Sequence, residues 1–584
     1  MRYLRMLTNA AIAGALGAAF VGVLILQLNP QLPLSWPVVV PLAATLLLFY
    51  GANLAVGFYL LIVVRQLFAS RVLSPGWVSM RLLAWLGTVV CAAAVALMSQ
   101  NLELFGPVLP DEAARRMALG MWATGACAAI LLGIAVLHYS SKRPRASVVG
   151  AALFSLTLAA ALMLPLTARG WGGGPPSQPP PGATAPATPV VQPAGRLRLI
   201  LLDGASLDFI AVATAGGRLP HLGRLLDGGA SLHLTTIRPT QPAPVWAAAT
   251  TGKLPDANGV RSAATYRAGG DGPAIELLPD LCFAHAMVHL GLLREQMHTA
   301  RALRARTVWE MVSAFGIPVG VVGLPLTQPA PPLAGYVVSD RTHLVANTLL
   351  PVDDRGLVFP ADVFAWGVPG PLDTPPAEAP PGGGDDAHDP LLLAGEFSAR
   401  DAWYRRVSAM LEARYAPQVA AVRYDGLDLA GHQFLRYGMP QAFGDVTDEE
   451  RRRYGQVLER QYAALDAEVG RVLASLGPDD VLMVVSGFGM APVSPGKRLL
   501  ARLMREPAQS GSHEGAPDGF LLAYGAGVAR GRLPVGSVVD VTPTVLYALG
   551  LPVARDMDGT ARTDVFAAAV RARRPVTYIP TYDR

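Results

Sequence analysis

The chain has 584 residues, of which 52% are hydrophobic and only 16% charged. That is too apolar for an ordinary soluble domain and too long for one core, since single cores rarely exceed about 250–300 residues. The net charge of +5 comes partly from basic residues in short loops between apolar segments, so it is no nucleic-acid signal, and no nucleic-acid partner is expected.

Five apolar stretches open the chain: Leu7 to Leu28, Val38 to Val64, Leu82 to Met98, Ala118 to Leu137 and Val148 to Leu166. Crossing the hydrocarbon core takes about 20 residues, so residues 1–169 read as a five-span anchor. The second stretch contains Pro41, Gly51 and Gly57 and is expected to tilt or kink; the third is the shortest. A cleaved signal peptide would account for the first stretch alone. Four more spans follow it and no polar cleavage region appears, which favours a span. Arg2 and Arg5, then Arg65, Arg71 and Arg81, then Lys142, Arg143 and Arg145 mark three basic loops that alternate with two non-basic ones. That alternation places the N-terminus in the cytoplasm and sends the chain outward after the fifth span, to an extracytoplasmic C-terminal domain at the cell membrane. The apolar stretches hold no ionisable residue, which favours an anchor over an ion pathway.

Residues 170–196 are rich in Pro, Gly and Ala and read as a tether. A similar stretch, 373–390, interrupts the following domain. Its Asp385, Asp386, His388 and Asp389 resemble a metal cluster, but the flanking Pro and Gly make a solvated loop the plainer reading. Cys282 is the only cysteine outside the apolar stretches, so no disulfide staples the domain.

From residue 197 to 584 the pattern is α/β. Arg198 to Asp203 is a short apolar run ending on an acid, suited to a buried parallel strand. Leu219 to Leu226 reads as a helix; Val319 to Val322, Val419 to Val422 and Val481 to Val485 read as further strands. Thr447 and Glu450 form a capping box, and apolar residues recur from Tyr454 to Leu476, predicting one long helix stopped by Gly477. Strands alternating with helices predict a sheet with helices on both faces, with function at the C-terminal strand ends. That points to Asp203, the loop after Tyr424, and Ser486. A turn-forming Asp-Gly explains Asp203 equally well. Asp428 and His432, four apart, share one helix face and suit zinc. His513 lies in a polar turn, where a solvated histidine is the commoner case.

In order along the chain, Leu202-Asp-Gly-Ala-Ser206, Gly217 to Leu225, Thr251-Gly-Lys-Leu-Pro255, Asn258-Gly-Val260, Trp309, Gly335 to Ser339, Asp540-Val-Thr-Pro-Thr544 and Asp556-Met-Asp-Gly559 resemble the alkaline phosphatase superfamily, in its type I phosphodiesterase/nucleotide pyrophosphatase branch. The resemblance implies an alkaline phosphatase-like sheet, hydrolysis of phosphoric esters and two metal ions, usually zinc. It places one ion on Asp428, His432 and His513. For the second it expects Asp203, a Ser/Thr nucleophile and an Asp-His pair. Only Asp203 is present. The nucleophile position falls on Pro242, with Thr240 two residues away, and the Asp-His pair reads Gly487-Phe488. With nucleophile and two ligands missing, the expectation is a catalytically impaired, one-zinc relative that binds a ligand or partner. The alternative is a one-zinc hydrolase or phosphotransferase, since two His and a carboxylate with an open position also form a catalytic zinc arrangement. The layout is similar to phosphoethanolamine transferases and lipoteichoic acid synthases. That adds a phosphorylated lipid or glycan to a nucleotide as expected ligand classes, beside a protein partner.

Overall fold

The apolar stretches form five helical segments long and apolar enough to cross a membrane. The structure is a computed structural model and describes residues 1–68, 75–140, 148–172, 195–269, 272–280, 283–346, 356–365, 390–504 and 509–583. Arg71, the basic loop with Lys142, Arg143 and Arg145, most of the tether, Cys282 and all of the 373–390 loop but Pro390, with its Asp385, Asp386, His388 and Asp389, lie outside the described residues.

The segments are α1 (Arg2–Leu28), α2 (Trp36–Leu46) joined to α3 (Ala52–Phe68), α4 (Met80–Phe105), α5 (Asp111–Ser140) and α6 (Val148–Arg169). The second span carries its irregularity at the π-helical turn Leu47–Gly51, with Pro41 inside α2. The third is not short: α4 runs for 26 residues. Hydropathy underestimates it because Gln100, Asn101 and Glu103 continue the helix beyond its apolar run. The helices also extend over Arg65, Arg81, Glu103 and Arg169, near their ends.

Two compact units make up the chain, residues 1–177 with 264–297, and residues 178–263 with 298–584. The first therefore includes a hairpin drawn from within the α/β sequence. Its strands β3 (Ala264–Ala268) and β4 (Leu293–Met297) pair antiparallel. Buried asparagines fasten it to the helices. Asn29, fully buried, accepts from the backbone N–H of Glu276 and Leu277 at 2.9 Å and donates to the Leu277 carbonyl at 2.7 Å. Asn101 accepts from the Asp280 N–H at 2.8 Å. Ile275 joins a core with Ile25, Leu32, Val38 and Leu42. An amide in an apolar setting needs all its partners, and these backbone groups supply them.

The second unit is built on one sheet. Apolar runs make its centre: β1 (Leu197–Leu202), β5 (Val319–Leu324), β6 (Gly335–Ser339), β8 (Val419–Tyr424) and β9 (Val481–Phe488). The strands β2 (Ala230–Thr235), β7 (Val358–Phe359) and β12 (Asp518–Gly525) complete most of the order β13-β2-β12-β9-β1-β8-β5-β6-β7. Here β13 is Gly531–Arg532, and β10 (Ala491–Pro492) pairs with β11 (Gly511–Ser512) outside the sheet. Strand β1 pairs parallel with β8 and β9, while β12 runs antiparallel to β9 and β2. One face packs Ile200, Val422, Val484 and Phe520 against Leu222, Trp403, Val407 and Val469 of surrounding helices. On the other strand positions, Leu199, Leu201, Val485 and Leu521 are equally buried, so both faces are covered, as expected of a doubly covered sheet.

The long helix predicted after Thr447 is two helices. Asp448–Tyr454 keeps the Thr447–Glu450 capping box, and Val457–Ser475 follows. The chain breaks at Gly455, where an added Cβ would collide with the Arg451 carbonyl. Glycine is a weak helix former, and the apolar spacing alone did not register it.

Candidate metal centre

Sheet register sets the site. Leu202 pairs with Tyr424 of β8 and Ser486 of β9, so Asp203 and Asp425 leave the sheet side by side, next to Gly487 near the end of β9. The helix Gly426–Gly438 starts directly after β8 and carries Asp428 and His432 on one face. His513 arrives from the turn after β11. Gly511 lies so close to that helix that a Cβ on it would stand 2.5 Å from the Gly431 carbonyl. Ser510 donates its N–H to the His432 carbonyl at 2.7 Å, pinning the turn.

Asp428, His432 and His513 offer donor atoms all within 4.8 Å of one another. Nε2 of His513 lies 3.2 Å from Asp428 Oδ1, and Nε2 of His432 lies 3.6 Å from Oδ2. Tetrahedral zinc with ligands at about 2.0–2.2 Å spaces its donors about 3.3–3.6 Å apart. Each ring is oriented from behind: Nδ1 of His432 faces the Gly511 carbonyl at 2.9 Å and Nδ1 of His513 the Gly489 carbonyl at 3.1 Å. A carbonyl only accepts, so each Nδ1 carries the hydrogen and each Nε2 turns its lone pair inward, the arrangement typical of metal-binding histidines. Asp428 Oδ1 and His513 Nε2 are buried without a hydrogen-bond partner. Two electron-rich atoms 3.2 Å apart call for a cation or a proton between them. Accordingly, burial lowers the His513 pKa but the adjacent Asp428 carboxylate outweighs it, holding the imidazole above its ordinary value. The donor set fits a zinc ion.

Asp203 is engaged elsewhere. Fully buried, its carboxylate accepts from Nε of Arg423 at 3.0 Å, from Nη2 of Arg423, and from Trp246 Nε1 at 2.7 Å. Burial pushes its pKa up against the pull of Arg423; a guanidinium stays protonated at any working pH, so the two form a buried ion pair.

The family model of type I phosphodiesterase / nucleotide pyrophosphatase matches residues 197–507. The chain belongs to this family. Two solved structures of murine ectonucleotide pyrophosphatase / phosphodiesterase 5 are similar in fold, one of them an inactive form in complex with AMP. Each is 11% identical, spans 64% of this chain and 100% of its own, and has a TM-score of 0.38. No curated protein sequence matches. Membership of this phosphodiesterase family gives the three-donor centre its context, since the family is metal-dependent, typically with zinc.

At the other positions where the sequence resemblance expects the second ion and the nucleophile, this family member holds residues without a donor atom for a metal. A Cβ on Gly487 would lie 2.5 Å from Cγ1 of Val245, and Val245 and Trp246 are buried. Phe488 is buried with its ring centroid 4.6 Å from that of His513. Pro242 is the first residue of the helix Pro242–Thr251 and bears no hydroxyl. Thr240 donates to the Ile237 carbonyl at 3.0 Å, a local turn bond. Ser486 is buried and donates to carbonyls of Ala205 and Phe488.

Sequence reasoning missed Arg423 and the charged network beside it. Arg423 also donates to the Gly323 carbonyl at 3.2 Å and lies 3.6 Å from Asp425, which pairs with Arg400 at 3.0 Å. Burial and then repulsion from Asp425 push the Asp401 carboxyl up to about 8. Burial raises Asp340 to about 6, and burial with Arg400 nearby lowers His343 to about 4. The available signal was Arg423 itself, a charge inside an otherwise apolar strand one residue from its end.

Proposed function

We propose that this family member is an extracytoplasmic, membrane-anchored binding protein rather than a two-metal phosphodiesterase. Asp428, His432 and His513 hold one zinc ion, which supplies a Lewis-acidic centre attractive to a phosphoryl oxygen. The observation that carries the reading is the capture of Asp203 by Arg423 and Trp246. Two-metal catalysis stabilises both the attacking and the leaving oxygen. Here the remaining acid of the second position is neutralised, its neighbours are Val245, Gly487 and Phe488, and the nucleophile position is Pro242. The ligand class is a phosphorylated lipid, glycan or nucleotide, and the anchor keeps the domain near the membrane surface.

A second reading rests on the donor set. Two histidines and one carboxylate leave a fourth zinc position open, as in one-metal hydrolases. Metal analysis of the purified full chain, with bis(p-nitrophenyl) phosphate as a probe, separates the two. One zinc per chain, lost in His432→Ala, with no turnover in either protein supports binding. Turnover that disappears with His432→Ala supports the hydrolase. A zinc-free chain after growth with zinc defeats both.

A further inference from the structure

A second polar site lies in the helical unit, apart from the metal centre. A pocket of about 420 Å³ opens among the last turn of α1, the first turns of α5 and the end of α6, within the range of about 300–1,000 Å³ usual for small-ligand sites. Its lining includes Gln27, Glu112, Arg116, Met117, Arg169 and Trp171.

Three features point to a ligand, and the first is an unmet hydrogen-bonding need. It belongs to Gln27, 3% exposed, whose amide nitrogen and oxygen both lack hydrogen-bond partners. Leaving such groups unpaired is costly in an apolar surrounding, and natural proteins seldom do so. The amide is not there by accident of packing: a Cβ on Gly120 would stand 2.5 Å from its nitrogen, so α5 presents a glycine where the amide needs room. The second is Arg169, 5% exposed. It donates to the carbonyls of Leu26, Asn29, Leu32 and Gly170, all neutral acceptors. A buried guanidinium without a carboxylate is an uncompensated charge. The third is Arg116, which donates to the Arg169 carbonyl at 3.1 Å and pairs with the exposed Glu112. The lining thus holds two guanidinium groups and one carboxylate, which pairs with Arg116, and the site is net cationic. Trp171, 81% exposed, stands at the rim, the residue type that settles at the membrane–water boundary.

We propose that this pocket binds the anionic headgroup of a phospholipid. Its phosphate faces the two arginines, a polar headgroup atom meets the Gln27 amide, and the acyl chains lie along the apolar helix surfaces. The depth marked by Trp171 favours a lipid over a soluble anion, because the headgroup layer lies at that level. This inference is independent of the zinc reading.

The test is native mass spectrometry of the detergent-purified full chain, with phosphatidylglycerol and phosphatidylcholine of identical acyl chains, and inorganic phosphate as a separate arm. The wild type is expected to retain phosphatidylglycerol about tenfold better, the scale of one charge-assisted hydrogen bond. Arg116→Gln and Gln27→Leu should each abolish most of that preference, while Arg115→Gln, in the same turn but outside the lining, should leave it intact. Equal retention of the two lipids overturns the proposal, and so does a preference that survives both lining variants or falls equally in Arg115→Gln. Inorganic phosphate competing as effectively as phosphatidylglycerol overturns it as well, since it would reduce the site to a soluble-anion pocket.

Discussion

Replacing Arg423 with Met probes the account of the second ion position most directly. Asp203 is fully buried, with Arg423 and Trp246 as its side-chain partners among the described residues. Removing one member of a buried pair typically costs about 3–5 kcal/mol, because the other charge is left without compensation. Asp203→Asn should cost less, since Arg423 keeps the Gly323 carbonyl and nearby Asp425. In the double variant neither charge remains, so the two effects should fall short of additivity by about 2–4 kcal/mol. Denaturant unfolding of the four full-length proteins, followed by tryptophan emission, measures that coupling. The pH dependence has a definite sign. Burial already raises the Asp203 pKa, and loss of Arg423 raises it further. A carboxyl whose folded pKa lies above its unfolded value of about 3.9 destabilises the fold increasingly as pH rises from there to the folded value. The Arg423→Met deficit should therefore be small near pH 4 and grow toward neutrality. A cycle additive within about 0.5 kcal/mol would refute the reasoning, as would two zinc ions per wild-type chain, because the guanidinium would then not be what holds Asp203.

Gly487→Ala should destabilise by about 1–3 kcal/mol through overpacking against Val245, and the combination with Val245→Ala should recover much of that loss in melting experiments. Asn29→Ala leaves the backbone groups of Glu276 and Leu277 unpaired, about 1–3 kcal/mol for each; limited proteolysis should then cut within 264–297 much faster than in the wild type. Burial alone would raise the Asp480 carboxyl, but bonds from Arg196 and Gly477 hold it below its ordinary value. Its contribution is thus present above about pH 4 and lost as pH falls through the folded value, so Asp480→Asn should weaken the protein at pH 7 and scarcely matter at low pH.

How far the sequence exposes this architecture depends on whether the signal is local. The strands β1, β5, β8 and β9 are legible because a strand buried on both faces must be a continuous apolar run. Asp428 and His432 are legible because helix periodicity alone puts them on one face. His513 is not, since its approach depends on the contact of Gly511 with Gly431, some 80 residues apart in sequence; the family resemblance singled it out instead. Strand β2 signals differently: Ala230, Leu232 and Leu234 alternate with Ser231, His233 and Thr235, a pattern that a search for continuous apolar runs passes over. The hairpin 264–297 gives no hint that its partners are Asn29 and Asn101, because nothing local distinguishes a segment that packs on distant helices from an ordinary insertion.

Arg423 sharpens what the proposed one-metal reading means. A guanidinium replaces the charge of an ion but not its chemistry, for it has no vacant orbital to accept a lone pair from water or substrate. Nor does it lend that charge to a ligand. Three of its hydrogen bonds go to Asp203 and Gly323 and its side chain is only 8% exposed, so the pair presents a neutral, closed surface. In the proposed function, the attraction for a phosphoryl group then falls on the three-donor centre alone. A relative that had merely lost its nucleophile would keep two cations and bind its phosphoester as before. On the proposed function, an internal ion pair stands where the second cation would be, and affinity should depend on a single metal: removing zinc should abolish phosphoester binding rather than halve its electrostatic support.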